Sequence, residues 1–203
     1  SVVSLSVLMN LPLSDQGATV TYYDGLGRPA QAVEVAHTPD GKDLVQGVYY
    51  DELGRQSRSY LPYEAPTGTG SYRPGWEAET ASSPLYAGEG GRVFDQTTYD
   101  GSPLNRVVAE QGPGRAWHDA ERQITYTHGT NGADQVKVWI VLSDGTLNQI
   151  GYYPSGRLHL LEQSDEDGRT TREWKDMLNR LVLKESQVDE DTWAQTYYVY
   201  DEI

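Results

Sequence analysis

The chain is 203 residues long and acidic, with 30 Asp and Glu against 16 Lys and Arg, a formal net charge of -14 and a pI near 4.5. That balance argues against nucleic-acid phosphate or an anionic membrane surface as a partner. The absence of cysteine excludes disulfides and thiolate metal sites, and no run approaches the ~20 apolar residues that span a bilayer. The 21 glycines, the 15 tyrosines against one phenylalanine, and a mean hydropathy of -0.64 suit short strands joined by many turns.

In chain order, residues 1–12 alternate apolar positions (Val3, Leu5, Val7, then Met9 and Leu11), which predicts an entering strand. They lack the basic start of a signal peptide. The chain opens on Ser and closes within a motif, so it is expected to be a segment of something longer, with any targeting signal outside it. Residues 19–23 and 28–35 form a first hairpin around Asp24–Gly27. Residues 45–50 and 56–61 form a second around Asp51–Gly54.

Residues 62–91 interrupt the pattern with Pro62, Pro66, Pro74, Pro84 and several glycines. They read as an insertion loop holding a short helix at 77–82, pinned to a sheet by Tyr72, Trp76, Leu85 and Tyr86. Strands then follow at 106–111 and 123–128. A plain hairpin of period 2 runs over 135–142 and 146–153, and further strands lie at 169–174, 181–185 and 193–200.

One motif returns along this path. Tyr23-Asp24-Gly25-Leu26-Gly27-Arg28 and Tyr50-Asp51-Glu52-Leu53-Gly54-Arg55 match closely. Tyr99-Asp100-Gly101-Ser102-Pro103-Leu104-Asn105-Arg106 expands the motif by two residues. Trp174-Lys175-Asp176-Met177-Leu178-Asn179-Arg180 varies it, Tyr153-Pro154-Ser155-Gly156-Arg157 shortens it, and Tyr200-Asp201 begins another copy. Asp opens a turn by bonding the backbone ahead of it. Gly supplies the positive φ of a hairpin bulge, and Asn is the next residue type able to take that conformation. A position that alternates only between Gly and Asn (27, 54, 105, 179) is therefore held by backbone geometry.

Metal and catalytic signals are weak. His37, His118, His128 and His159 lie far apart without ligand spacing. Asp165-Glu166-Asp167-Gly168 resembles the start of a calcium loop, but Arg169 and Arg172 stand where later oxygen donors belong, so a solvated turn is the favoured reading. Gly88-Glu89-Gly90-Gly91 lacks the β-α-β setting of a phosphate cradle. No Gly-x-Ser-x-Gly elbow occurs, and no single carboxylate pair stands out for glycoside hydrolysis, which is carried only as a distant alternative. No cofactor is expected. Trp76, Trp117 and Trp139 are candidate ligand-facing aromatics for stacking on sugar rings, although core or sheet-face packing is the favoured reading of them.

The Tyr-Asp-x-x-Gly-Arg motif, at intervals mostly of 21–27 residues, resembles the YD repeats of Rhs-type proteins. Residues 21–29 look like the opening repeats of the large Bacteroidetes-type Rhs-related proteins. The resemblance implies an all-β fold in which hairpins form a curled antiparallel sheet, part of a hollow shell. It also implies a bacterial cell-surface or extracellular location, and a partner in the remainder of the same polypeptide, including further repeats and a C-terminal effector. Some relatives are linked to carbohydrate binding. The expected function is a non-catalytic scaffold over residues 1–203, with a glycan- or partner-binding module as the alternative. Repetition of Asp and Arg itself favours structure, because a catalytic site is needed once and a folding unit in every copy.

Overall fold

The computed structural model describes residues 17–200, so the entering strand expected at 1–12 and the motif copy at 201–203 lie outside the described residues. The fold is all-β and antiparallel, with two short helices and one 3-10 turn among the described residues. The chain packs as two compact units. The first comprises residues up to Tyr99 with Glu110–Arg122, and the second Asp100–Ala109 with the residues from Gln123 onward. Strand β7 (Val107–Gln111) carries the point of division.

In the first unit, β1 (Thr19–Tyr23), β2 (Pro29–Glu34), β3 (Leu44–Tyr50), β4 (Gln56–Tyr60) and β6 (Phe94–Tyr99) pair in that order. Alternation decides which face goes inward: Gln31 and Val33 on β2, and Val45 and Gly47 on β3, are buried while their neighbours are not. The proline at 62 interrupts β4, and β5 (Tyr63–Glu64) then resumes the ladder, with Val45 opposite Tyr63.

The insertion is not a free loop. It holds helix α1 (Trp76–Ala81) one residue from its expected place, and a 3-10 turn at Pro84–Tyr86 whose Ser83 hydroxyl accepts from the Leu85 N–H. Trp76 lies against Gly47 so closely that a Cβ there would meet its ring at 2.2 Å. Gly47 is a residue of close approach, and any side chain at that position displaces the helix. Around this contact Val33, Val45, Tyr60, Tyr63, Ala65, Trp76, Val93 and Phe94 form the core. Tyr60 meets Trp76 edge-on at 4.8 Å, an arrangement worth about 0.5–1.5 kcal/mol beyond burial. Tyr86 donates to the Pro62 carbonyl and Tyr72 packs edge-on against Tyr22. Leu85 was expected to pin the loop and instead faces solvent, 66% exposed.

Asp43 ties the far end of the insertion down. It is fully buried, and its carboxylate accepts from the Ala36, Thr69 and Gly70 amides at 3.0, 3.0 and 2.7 Å. Gln31, also buried, exchanges two hydrogen bonds with the Arg73 backbone. Helix α2 (Arg115–Asp119) closes the unit, with His118 edge-on to Phe94.

In the second unit, β8 (Ile124–Thr130), β11 (His159–Ser164), β12 (Thr170–Lys175), β13 (Leu181–Asp189) and β14 (Thr192–Tyr197) pair in that order. The hairpin β9 (Lys137–Val141) and β10 (Leu147–Tyr152) forms its own two-stranded sheet. Val136, Leu158, Trp174, Val182 and Leu183 are the core. Buried Asn131 organises the neighbouring turn. Its side-chain oxygen accepts from the Arg157 and Leu158 amides, and its nitrogen donates to the Gly132, Tyr153 and Pro154 carbonyls. Every polar atom of that amide is therefore matched, which is what makes its burial tolerable.

Candidate functional site

The copies of the motif at Asp24, Asp51 and Asp176 fold into the same turn. At Asp24 the backbone N–H donates to the Arg28 carbonyl at 2.9 Å and the carbonyl accepts from Gly27 N–H at 3.0 Å. One carboxylate oxygen accepts from the Leu26 and Arg28 amides, and the other takes the Arg28 guanidinium at 2.7–2.8 Å. Asp51 with Arg55, and Asp176 with Arg180, repeat these bonds atom for atom. Asp100 and Arg106 keep the bonds between aspartate and arginine across the longer loop, where Ser102 adds a bond from its hydroxyl and its carbonyl, in place of that of Asp100, accepts from the Asn105 N–H.

The fourth turn position is left-handed throughout: Gly27 and Gly54 at φ 76°, Asn105 at 50° and Asn179 at 62°. This is a type I turn closed by a bulge residue, and only Gly or Asn enters it cheaply. The amide of Arg28 is the largest of the contacts that hold the Asp24 carboxyl below its ordinary range, and the amide of Arg55 acts likewise on Asp51. At Asp100 the Arg106 guanidinium leads, lowering the group to about 2.

The turns are also linked to one another, which the sequence did not reveal. The Arg28 guanidinium lies 4.1 Å from the centre of the Tyr50 ring, Arg55 lies 4.7 Å from that of Tyr99, and Arg180 4.9 Å from that of Tyr200. In each case the tyrosine hydroxyl donates to the carbonyl of the residue that follows the arginine: Tyr50 to Pro29 at 3.0 Å, Tyr99 to Gln56 at 2.9 Å, Tyr200 to Leu181 at 2.9 Å. Arg28 also reaches the Gly54 carbonyl at 3.0 Å. The motifs at Asp24, Asp51 and Asp176 thus make two kinds of contact. Their Asp and Arg close their own turn, and Arg28, Arg55 and Arg180 each clasp the tyrosine of a later copy. After Arg106 the corresponding carbonyl, Val107, meets the His128 imidazole at 3.0 Å instead of a tyrosine hydroxyl.

Two further turns belong to the set. Asp165 accepts from the Asp167 and Arg169 amides with Gly168 at φ 81°. Residues 165–169 are therefore a copy of the turn, with Ser164 in the tyrosine place, and its Asp-x-x-Gly-Arg spacing was the signal that identifies it. In the shortened copy, Asn131 supplies to Arg157 and Leu158 the acceptor that a local aspartate supplies elsewhere. Trp174 is not a substitute for the stacking tyrosine: it is a core residue, 1% exposed, and Lys175 occupies the place before Asp176.

The three candidate aromatics have different surroundings. Trp76 is buried in the first core and offers no face to a ligand. Trp117 is 41% exposed on α2, with Arg122 5.9 Å from its ring centre. Trp139, in the second unit, meets Tyr197 edge-on at 6.0 Å and lines a cleft of about 380 Å3 with Ile150, Asp176, Arg180 and Tyr200. That volume is near the lower end for a small-molecule pocket. Among the described residues no group of three or more His, Cys, Asp or Glu is arranged to hold a metal ion, and no helix is long and apolar enough to cross a membrane.

The family model described as a domain of unknown function, DUF6443, matches residues 2–130, a span that takes in the turns at Asp24, Asp51 and Asp100. No curated protein matches the chain. With more than half of its 203 residues matched, the chain belongs to the DUF6443 family.

Proposed function

We propose that this member of the DUF6443 family is a non-catalytic scaffold segment of a large secreted or cell-surface protein of the Rhs, YD-repeat type. In this reading its hairpins form part of a β-wall that encloses or presents another part of the same polypeptide, a C-terminal effector included. The observation that carries the reading is the arginine–tyrosine link between successive turns, made with the same atoms three times. Asp and Arg, the residues best able to do chemistry in the motif, are engaged in holding it. An exposed cation over an aromatic ring contributes about 0.5–1 kcal/mol, so any one link is weak and the effect comes from repetition.

The test is limited proteolysis of the full-length protein, comparing the native form with one in which Arg28, Arg55 and Arg180 are all replaced by Met. Protection of the C-terminal portion in the native form, lost in the variant, supports the wall. Equal susceptibility in both rejects it.

A second reading, a glycan- or partner-binding module, is favoured by the cleft, where Trp139, Tyr197 and Tyr200 stand beside Asp176 and Arg180. Aromatic faces with adjacent polar groups suit a sugar ring. Binding on a glycan array that disappears with Trp139→Ala supports this reading, and a blank array removes it.

A further inference from the structure

The inter-turn link has two halves, and at Tyr23 only one of them is present among the described residues. Tyr23 occupies the same place before Asp24 that Tyr50 occupies before Asp51, and that Tyr99 and Tyr200 occupy before their aspartates. Each of those three carries an arginine on its ring and donates its hydroxyl to the carbonyl that follows that arginine. Among the described residues no arginine lies over Tyr23, and its side chain is 63% exposed.

The turn beside it is open in the same way. At Gly54 an added Cβ would meet Arg28 Nη1 at 2.7 Å, because the incoming arginine lies across the turn to reach the Gly54 carbonyl. At Gly27, with the same φ of 76°, nothing among the described residues approaches within 4 Å of an added Cβ. Strand β1 is the first in its sheet and, among the described residues, pairs only with β2. The missing arginine does not come from residues 1–16, which contain no Lys or Arg.

We propose that the outer edge of β1, with Tyr23 and the Gly27 carbonyl, is a docking site for an Asp-x-x-Gly-Arg hairpin of another polypeptide segment. Its arginine lies over the Tyr23 ring and donates to the Gly27 carbonyl, and the carbonyl after that arginine accepts from the Tyr23 hydroxyl. The strand following that arginine pairs with β1 by main-chain hydrogen bonds, a mode of recognition that leaves specificity to the side chains. The partner's signature is thus a guanidinium, which a lysine ammonium does not replace, because planarity is needed to stack and donate at once. The inference rests on the turn geometry and stands or falls separately from the wall reading.

The test is a hairpin peptide of residues 19–34, closed by a disulfide between cysteines added outside those residues, titrated into the isotopically labelled full chain and followed by NMR. The expected result is saturable shifts confined to residues 19–27, with the peptide's Arg28 side-chain protons moved upfield by the Tyr23 ring. Tyr23→Leu in the chain, at an exposed position that leaves the fold intact, and Arg28→Lys in the peptide each weaken binding about tenfold. Absence of shifts at residues 19–27 with peptide at about 1 mM, shifts located elsewhere, or equal affinity for the Tyr23→Leu chain overturns the proposal.

Discussion

Replacing the bulge glycines one at a time separates backbone conformation from the inter-turn link. Gly27 and Gly54 have the same φ of 76°, but among the described residues only Gly54 has a neighbour, Arg28 Nη1 at 2.7 Å from the position of an added Cβ. An L-residue in the left-handed region costs roughly 1–2 kcal/mol relative to glycine. Gly27→Ala should show that cost alone. Gly54→Ala adds the displacement of Arg28, which gives up its bond to the Gly54 carbonyl, a further ~0.5–1.5 kcal/mol. Because Arg28 is flexible at its far end, the clash is relieved by movement, so the sum stays near ~2–3 kcal/mol. Asn at either position should lose less than Ala, as Asn105 and Asn179 occupy the same place in other copies. Urea unfolding followed by tryptophan fluorescence measures the differences. In an Arg28→Met background the excess at Gly54 should vanish. Equal losses for Gly27→Ala and Gly54→Ala, or an Asn as damaging as an Ala, would refute the reasoning.

Three other outcomes are expected. Asp43→Ala leaves the Ala36, Thr69 and Gly70 amides without their acceptor. It should destabilise the first unit by roughly 3 kcal/mol or more and expose residues 62–73 to protease before the rest, and simultaneous cleavage everywhere would count against it. Asp100, lowered to about 2 with its Arg106 guanidinium as the largest cause, contributes stability that is fully present above its unfolded pKa. That contribution is lost as pH falls from about 4 toward 2, and Asp100→Asn should flatten this part of an acid titration. His118 is held below its ordinary range by burial and then by Arg92, so the folded chain binds its proton less readily than the unfolded chain. Stability should therefore fall as pH drops through about 6.5, and His118→Gln should remove that dependence in a pH series of urea midpoints.

Much of the local architecture was legible because it is local. The turn at Asp24 closes within five residues, and the Gly/Asn alternation reports its left-handed position directly. The period-2 run at 135–142 and the helix near 77–82 were likewise readable from short windows. What escaped depends on partners far away in the chain. Arg28 finds Tyr50 and Gly54, Arg55 finds Tyr99 forty-four residues on, and no spacing rule within one turn indicates these contacts. Asp43 sits in an ordinary Lys42-Asp43-Leu44 stretch, and its burial comes from the insertion folding back over it. Strand β11 has adjacent leucines instead of alternation and is defined by β8 and β12 on either side. Trp76 was legible as an anchor of the Pro/Gly-rich insertion, but not the distant Gly47 that makes room for it in the core.

The central claim is that Arg28, Arg55 and Arg180 each hold the tyrosine of a later copy of the motif. A double-mutant cycle on Arg28 and Tyr50, with Arg28→Met and Tyr50→Leu analysed singly and together by urea unfolding, tests it most directly. The account predicts a coupling of about 1 kcal/mol for Arg28 with Tyr50 and none for Arg28 with Tyr99. Additive effects at Arg28 and Tyr50 would contradict it.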